Sequence, residues 1–468
     1  MAQRVIVDPV TRIEGHARIV VDVDGGDQVT DAHLQVLEIR GFEKLLERME
    51  LFKMPQVTGR LCGVCPAAHH LASVTAIENG LGIAVPTDAR LLRDLLYAGH
   101  MLHSHGLSTF VLLGPDLLLG LDSEPDVRNV FGLLKLAPEL AKKALRLRTI
   151  GQRIVEIVGG RGVHPVTAVP GGMAARPDAE KLKMIAGWGT EAMGLLDELG
   201  PVARARLALM DEITETLLLP YHSLSLSKNG VHSFLEGDVV VTDALGIRER
   251  VFPIAKYYEH LVEHVMRGSY MKSVRLRGTP EKRYFVGALA RLNNNYAIST
   301  PKANQMLKEF QAKGRPRLSA LDYVEARLVE MVHAAERVAE IAGGALTGGP
   351  IRVPVEPREG RYIGLVEAPR GILVHDYTAD ADGRLTDANL IVATQNNYDA
   401  IDNSIGSLAK LLMPKKNDNL LMNGIEFAMR CFDPCLACAT HAAGQMPMEV
   451  QIRRDGELVR TIRKGMER

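Results

Sequence analysis

The sequence predicts a mainly α-helical fold, a large helical bundle with small β-sheets at its margins. Residues 3–38 alternate apolar and polar side chains as strands do, whereas from about residue 88 the apolar residues recur at helical spacing. No internal repeat or low-complexity segment stands out. The elements are therefore expected to form one large body rather than a solenoid.

The strand region and the start of the helical region can be placed from local patterns. Residues 17–23 alternate, Gly25-Gly26 supplies a turn, and a second strand follows at 29–36. Leu92, Leu96 and their neighbours begin the helical spacing. Further helical runs are predicted at about 134–158, 178–224, 253–272, 302–313 and 319–343.

Short strands are expected between and after these helices. Residues 225–252 and 273–300 have the pattern of loops with short strands. A strand pair is predicted near 371–378 and 386–393, followed by a helix near 398–413.

Composition excludes several classes of protein. The 468 residues carry a net charge of zero, so there is no electrostatic footprint for nucleic acid or an anionic membrane. The most apolar stretch, 107–121, is interrupted by Gly114-Pro115-Asp116 and is too short to span a bilayer. The first residues lack the pattern of a signal peptide. A cytoplasmic location is therefore expected.

The five cysteines are too few for a disulfide scaffold, but their placement is informative. Cys62 and Cys65 form one C-x2-C pair, Cys435 and Cys438 form another, and Cys431 stands alone. Four thiolates are enough to enclose a soft transition metal. A structural zinc site is an alternative, although zinc ribbons join their pairs within ~15–20 residues. A thioredoxin-like redox pair is another, without the flanking βαβ pattern.

Five motifs then occur in a fixed order along the chain. They are Arg12-Ile13-Glu14-Gly15-His16, Arg40-Gly41-Phe42-Glu43, the segment 60–69 around the first cysteine pair, Glu367-Ala368-Pro369-Arg370-Gly371, and the segment 433–441 around the second. Together, over residues 5 to 441, they resemble the large, catalytic subunit of nickel–iron hydrogenases. Within that family the chain looks most like the cytoplasmic, NAD-reducing, bidirectional group.

The resemblance implies a role for each cysteine of the two pairs. Cys62 and Cys435 would be terminal nickel ligands, and Cys65 and Cys438 would bridge nickel to an iron that carries two cyanides and one carbon monoxide. In the family dihydrogen, the substrate, is split heterolytically, and the proton passes to a terminal cysteine sulfur, here assigned to Cys435. Thiolate basicity suits that transfer.

The resemblance also implies that Glu14 carries the proton onward and that Arg370 overhangs the open metal position. From the residues alone, Glu14 would be a turn carboxylate and Arg370 a surface arginine. Asp433 and Asp116 would hold Arg370. His69 would donate a hydrogen bond to a bridging sulfur, and a buried histidine satisfied elsewhere is its alternative. Thr394 would hydrogen-bond a cyanide.

A magnesium site and a removable tail follow from the same resemblance. Glu43 and His441 would bind magnesium together with a backbone carbonyl near Ile391. Residues 442–468 have a small hairpin pattern. In the family a protease removes such an extension after nickel insertion, whereas an ordinary terminal hairpin would stay. A maturation protease and nickel-insertion factors are therefore expected partners.

The predicted body covers residues 1–441 as a single unit. It comprises an N-terminal β region at about 3–38, a helical core at about 85–345 and a C-terminal region of metal ligands at about 360–441.

Electrons are expected to leave through other protein chains. Cys431 alone cannot hold an iron–sulfur cluster, which needs about four thiolates. The resemblance implies two partners, an iron–sulfur small subunit, which receives the electrons, and a flavin-containing diaphorase that reduces NAD. This chain has no G-x-G-x-x-G fingerprint for NAD.

Three alternatives stay open at this point. The first is a hydrogenase subunit of a deazaflavin-reducing or disulfide-reductase-linked complex. The second is a structural zinc-binding subunit. The third is a relative of the quinone-site subunit of respiratory complex I, which shares the fold but lacks the four cysteines.

Overall fold

A computed structural model describes the backbone of residues 3–26, 28–39, 41–124, 126–266, 268–440, 448–454 and 457–464, and side chains between residues 5 and 440. Helices make up about half of the chain, and several small sheets accompany them. The large helical body with small sheets is as expected, and its proportions are those of a mixed α and β architecture.

The predicted N-terminal strands are present as an antiparallel sheet. Its strands are Gln3–Val7, Ala17–Val23 and Val29–Val36, with the second in the middle. The helix Tyr398–Leu412 packs on the third strand. There the hydroxyl of Tyr398 donates to the carbonyl of Leu34 at 2.5 Å.

Long helices form the interior, and the first cysteine pair directly precedes one of them, with Cys65 as its N-cap. We name them by their first residues: the Pro66 helix (Pro66–Leu81), the Thr87 helix (Thr87–Gly106), the Pro138 helix (Pro138–Gly159), the Ala179 helix (Ala179–Leu207) and the Asp322 helix (Asp322–Glu340). The Thr87 helix packs against both the Pro138 and Asp322 helices. It continues into a π-helical turn at Leu107–Leu112.

Shorter helices complete the body. Their bounds are Phe42–Leu46, Met54–Thr58, Gly114–Leu119, Val130–Leu136, Asp211–Thr216, Tyr257–His260, Ala288–Asn294, Pro301–Ala312, Ala393–Asn396, Asp418–Arg430 and Leu436–Ala439. A second π-helical turn lies at Ile341–Ala345, and 3-10 turns lie at Leu51–Lys53, Gly59–Leu61, Ile254–Lys256 and Met413–Lys415.

The three-stranded sheet near the C-terminal end lies in the interior rather than at a margin. Its strands Gly360–Ala368, Gly371–Ala379 and Leu385–Ile391 run antiparallel, and the first packs on the Pro66 helix. Gly364 permits this approach, because a Cβ there would lie 2.4 Å from the amide nitrogen of Ala76. The expectation of peripheral sheets is therefore wrong for this sheet.

The remaining strands are short. His222–Ser227, Asp238–Thr242, Arg248–Phe252 and Tyr284–Phe285 form one sheet, Leu261–His264 pairs with Ser273–Leu276, and Ala168–Val169 pairs with Gly172–Met173.

Three predictions for single elements fail. The helix expected over 178–224 ends at Leu207 and is followed by the short helix Asp211–Thr216 and the strand His222–Ser227. The helix expected over 253–272 is only the turn Tyr257–His260, because the chain then enters the strand Leu261–His264. Helical spacing is expected only from about residue 88, so the Pro66 helix is not predicted. Most of its faces are buried, so its sequence lacks the apolar stripe of a half-exposed helix.

At the C-terminal end, residues Met448–Arg454 and Glu457–Lys464 pair as the predicted antiparallel hairpin. In the parts of the chain that the structure describes, no helix is long and apolar enough to cross a membrane.

Candidate metal centre

Four cysteine side chains from distant parts of the chain meet in the interior. Sγ of Cys62 lies 3.2 Å from Sγ of Cys435, and Sγ of Cys65 lies 3.3 Å from Sγ of Cys438. These separations exceed the ~2.05 Å of a disulfide bond. All four sulfurs lie within 4.8 Å of one another, and all four residues are buried. The two C-x2-C pairs therefore form one cluster.

The environment shifts the pKa values of three thiols in opposite directions. Hydrogen bonds from Cys435, Cys438 and Cys62 lower the pKa of the Cys65 thiol. Hydrogen bonding to Cys438 raises the pKa of Cys435, whereas burial is the main cause that raises the pKa of Cys438. Four thiolates this close and this buried need compensating cations, since unpaired buried charge is costly.

The loop around Glu14 lies directly against the second cysteine pair. The carbonyl of Glu14 accepts a hydrogen bond from the amide of Leu436 at 3.1 Å, and its Oε2 accepts one from the amide of Ala437 at 2.9 Å. The same Oε2 lies 3.1 Å from Sγ of Cys435. Gly15 allows the approach with φ of 86°, because a Cβ there would lie 2.8 Å from the Cβ of Leu436.

The structure brings Arg370 and Asp433 together beside the cysteines. Nε of Arg370 donates to the carbonyl of Asp433 at 2.5 Å, and Nη2 donates to Oδ1 of Asp433 at 3.0 Å. Nη1 lies 3.5 Å from Oγ of Ser104 on the Thr87 helix. Burial opposes the charge of Arg370, but the charges of Asp433 and the cysteines raise its pKa, so the guanidinium stays protonated.

A second buried arginine supports the segment before Arg370. Arg291 donates to the carbonyls of Ala368 and Pro369 at 3.0 and 3.1 Å. It also pairs with Glu330 and Glu367 at 2.6 and 2.8 Å. Paired on both sides, this buried charge fixes the backbone from which the Arg370 side chain projects.

A cavity of about 10 Å³ adjoins the sulfurs, lined among others by Cys65, His69, Arg370, Thr394 and Cys438. Oγ1 of Thr394 accepts a hydrogen bond from the amide of Cys435 at 2.9 Å, which leaves its own proton free to donate. Nδ1 of His69 lies 3.1 Å from Nε2 of His375, and among the described residues its Nε2 has no hydrogen-bond partner, so the expected bond from His69 to a bridging sulfur is not present.

Asp116 is placed differently from the expectation that it would hold Arg370. Its buried carboxylate binds Arg12 through two hydrogen bonds of 2.6 and 2.9 Å. It also accepts from Arg128 at 2.9 Å and from Arg430 at 3.2 Å. Burial is the main cause that lowers the pKa of Arg128, to about 10. The like charges of Arg12 and Arg430 lower it further, whereas the charge of Asp116 acts in the opposite direction. Asp116 therefore does not hold Arg370, because its carboxylate is hydrogen-bonded to Arg12, Arg128 and Arg430 instead.

The expected magnesium site lies only partly within the described residues. Glu43 is on the helix Phe42–Leu46, which packs against the strand Leu385–Ile391. This packing places Glu43 and Ile391 on neighbouring elements. His441 lies outside the described residues.

Two contacts at the site were not anticipated from the sequence. Ser104 approaches Arg370, and His375 approaches His69. Ser104 stands in the His-rich run 100–105, the one local signal that could have directed attention to this helix. His375 lies in a buried strand with no motif around it.

The donor set fits a nickel–iron centre. Thiolates are ligands for soft transition metals, and four of them enclose one position together with a charged arginine and a hydroxyl donor. The fold and the site thus define a redox-metal enzyme subunit whose ligands come from both ends of the chain.

Comparison with known proteins identifies the family. Residues 40–118 and 250–441 match the family described as nickel-dependent hydrogenase, and residues 4–39 match the family described as HoxL-like. The chain belongs to the nickel-dependent hydrogenases and is a large, catalytic subunit of the nickel–iron type.

Relatives of two kinds are similar to almost the whole chain. The vhu F420-non-reducing hydrogenase chain of Methanococcus voltae is 35% identical, over 87% of this chain and 99% of that protein. The NAD-reducing hydrogenase HoxS subunit beta of Cupriavidus necator is 34% identical, over 97% of each chain.

Solved structures agree on the fold. A crystal structure of an NAD+-reducing NiFe-hydrogenase in the reduced state superimposes with a TM-score of 0.90 at 34% identity, covering 94% of this chain and 99% of that one. A NiFeSe-hydrogenase from Dm. baculatum superimposes with a TM-score of 0.78 at 24% identity, over 94% and 100%, and supports the fold alone.

Proposed function

We propose that this chain catalyses the reversible heterolytic oxidation of dihydrogen to protons and electrons. We further propose that the electrons pass through an iron–sulfur small subunit to a flavin-containing diaphorase that reduces NAD. The observation that carries the catalytic part is the contact between one cysteine of the four-sulfur cluster, Cys435, and the carboxylate of Glu14. It joins a site for a soft metal to a group able to carry a proton.

When bound, a nickel–iron centre held by Cys62, Cys65, Cys435 and Cys438 would supply the Lewis acidity and the redox capacity that the reaction needs. The chain's own residues manage the proton. Sγ of Cys435 receives it, and Oε2 of Glu14, 3.1 Å away, accepts it next. The amide of Ala437 orients that oxygen toward the sulfur.

Arg370 and Thr394 serve the space beside the sulfurs. The guanidinium is fixed by Asp433 and cannot lose its proton at ordinary pH, so it presents a permanent positive charge to the cavity. The hydroxyl of Thr394 is a second donor. These two donors and apolar residues such as Leu373 and Val392 would line the position of the iron-bound cyanide and carbon monoxide.

The acceptor NAD is supported by two similarities. The NAD-reducing relative matches 97% of the chain, and the NAD+-reducing structure has a TM-score of 0.90. The relatives named F420-non-reducing hydrogenase support a second candidate, a hydrogenase complex with an electron acceptor other than NAD. We also propose a cytoplasmic location, a magnesium ion at Glu43 and His441, and removal of residues 442–468 by a maturation protease.

Infrared spectroscopy, metal analysis and an acceptor assay test the proposal together. The enzyme purified with its native partners is expected to contain nickel and iron, to show cyanide and carbon monoxide bands, and to reduce NAD+ with dihydrogen. Zinc without nickel would contradict the catalytic proposal. The expected bands with reduction of an artificial dye but not of NAD+ would contradict only the acceptor.

A further inference from the structure

The buried cluster around Asp116 joins the Glu14 loop (residues 8–16) to the helices Gly114–Leu119 and Asp418–Arg430, which carry no metal ligand. Three guanidiniums, from Arg12, Arg128 and Arg430, converge on this one carboxylate. The side chain of Asp116 is fully buried, and that of Arg12 is only 14% exposed. A charged cluster this enclosed is held in one arrangement, since each member loses its partner if it moves.

Hydrogen bonds hold residues 11 and 12 through both backbone and side-chain atoms. The amide of Thr11 donates to Oε1 of Glu426 at 2.7 Å, and its carbonyl accepts from Nε of Arg430 at 2.9 Å. Arg12 adds a hydrogen bond of 2.6 Å to the carbonyl of Leu112, besides its two bonds to Asp116.

The backbone of Arg12 is itself held in an unfavourable conformation. Its φ is 55°, in the left-handed region that side chains other than glycine avoid. Such a conformation persists only where the surroundings over-determine it. The bidentate pair with Asp116 and the bond to Leu112 are the contacts that do so, because they fix the far end of the same residue.

Arg12, which these contacts hold, lies two residues before Glu14, the proposed proton acceptor. From Arg12 the chain runs through Ile13 to Glu14, whose carbonyl and Oε2 bond the amides of Leu436 and Ala437. The position of the carboxylate relative to Sγ of Cys435 therefore depends on where Arg12 anchors the loop. A displacement of about 1 Å in such a constellation is enough to slow a reaction by roughly a hundredfold.

We propose that Asp116 and Arg12 are positioning residues for Glu14: their buried ion pair fixes the loop so that the Glu14 carboxylate faces the Cys435 sulfur. This inference rests on the proposed role of Glu14 as proton acceptor. It assigns to Asp116 a task in proton transfer instead of the support of Arg370.

The chain offers a matched pair of variants on the same carboxylate. Arg12→Lys and Arg128→Lys each replace by an ammonium a guanidinium that contacts Asp116. Arg12 binds the carboxylate through a two-bond fork, whereas Arg128 donates a single hydrogen bond to it. Only Arg12 is part of the Glu14 loop. Asp116→Asn, with the same shape and no charge, is the third variant. Asp376→Asn removes the charge from another buried aspartate with a bidentate arginine, Arg361, outside the cluster.

Two measurements on the full-length chain in its native complex test the proposal. In Arg12→Lys, isotope exchange between deuterium gas and water is expected to fall about tenfold or more, while the infrared bands of the metal centre stay in place. Hydrogen-exchange mass spectrometry is expected to show faster exchange at the amides of Thr11, Leu436 and Ala437. Arg128→Lys and Asp376→Asn are expected to stay within about twofold of the parent in gas exchange.

Equal behaviour of Arg12→Lys and Arg128→Lys in both measurements would overturn the proposal. The cluster would then stabilise the fold in general and would not position Glu14 in particular. If Asp116→Asn does not fold, the Arg12→Lys comparison still decides. A fully active Glu14→Gln enzyme would instead overturn the proton role of Glu14. The amide exchange at residue 11 would still report separately on the anchoring of the loop.

Discussion

At the scale of single residues, the carboxylate of Glu14 reaches the sulfur cluster from a distant part of the chain. Its Oε2 contacts a backbone amide and the sulfur of Cys435 at the same time. A carboxylate can accept a proton there and pass it on, whereas a carboxamide of the same shape cannot accept one at neutral pH.

Replacing Glu14 by Gln is therefore expected to reduce isotope exchange and dihydrogen oxidation by about 10²–10⁴-fold. Nickel content and the infrared bands are expected to be those of the parent, because no ligand is changed. Glu139→Gln, at an exposed glutamate paired with Lys142, is the matched control and is expected to be fully active. Parent-like turnover of Glu14→Gln would rule out the proton role.

The residues of the site differ in how far the sequence could place them. Glu14, Arg370 and Asp433 stand in motifs with a recognisable spacing, and the structure brings Glu14 to Cys435 and Arg370 to Asp433. Asp116 stands in no such motif, and nothing in its local sequence tells which arginine it will meet. That choice is made by the packing of the helix Gly114–Leu119 against distant segments, which a single sequence does not contain.

At the scale of elements, the contact between the Thr87 and Pro138 helices depends on glycine. A Cβ at Gly151 would lie 2.4 Å from the amide nitrogen of His103 and 2.6 Å from the carbonyl of Gly99. The two backbones approach too closely for any side chain. Because Ser104 follows His103, this contact also sets how the Thr87 helix meets Arg370.

Gly151→Ala is expected to lower the free energy of unfolding by about 1–3 kcal/mol, because the helices must separate to admit the methyl group. Gly194→Ala, at an exposed helical glycine with no atom within 4 Å of its Cβ, is expected to raise it by about 0.5–1 kcal/mol. Denaturant unfolding compares the two. Stabilisation by both substitutions would contradict the close contact.

The elements that the sequence predicts well are those with one exposed face. The helix expected at 302–313 is found at Pro301–Ala312, because its apolar stripe faces the interior. The Pro66 helix escapes prediction, since burial on most sides removes the contrast on which periodicity depends. In the buried sheet, the strands Gly371–Ala379 and Leu385–Ile391 match the predicted pair, whereas the strand Gly360–Ala368 is not predicted. The position of the sheet in the core depends on contacts of that first strand with the Pro66 helix.

At the scale of the whole molecule, buried histidines make stability depend on pH. Burial lowers the pKa of His70, His103 and His105 to about 4 and that of His100 to about 3. In each case the imidazolium is the form that the interior disfavours. Between pH 6.5 and 4 the unfolded chain therefore binds more protons than the folded one, so stability falls as the pH falls.

Each of these histidines is expected to contribute up to about 1.4 kcal/mol per pH unit in that window. His70→Gln keeps a donor for the carbonyl of Pro55 and removes one titrating group, so the pH dependence of Tm between pH 6.5 and 4.5 is expected to become shallower. His16→Gln, at an exposed ring, is the matched control for the substitution itself. An unchanged slope in His70→Gln would contradict the burial argument.

The C-terminal hairpin gives a prediction about the mature chain. We expect residues 442–468 to be absent from active enzyme, because all four cysteines of the cluster precede them in the chain. Intact-mass spectrometry of the active complex measures this directly, and a precursor isolated before nickel insertion serves as the control. A fully active chain that still ends at Arg468 would show that the hairpin is a permanent part of the fold.

The meeting of two cysteine pairs 373 residues apart has a consequence for how the centre loses its metal. Cys435 and Cys438 sit in a fully enclosed segment, tied by hydrogen bonds to Glu14 and Thr394. A chelator in solution cannot reach a metal held there until this segment lifts away. The rate of metal loss would then be set by that opening and would not rise with chelator concentration, so the lifetime of the centre is a property of the fold rather than of the metal–sulfur bonds.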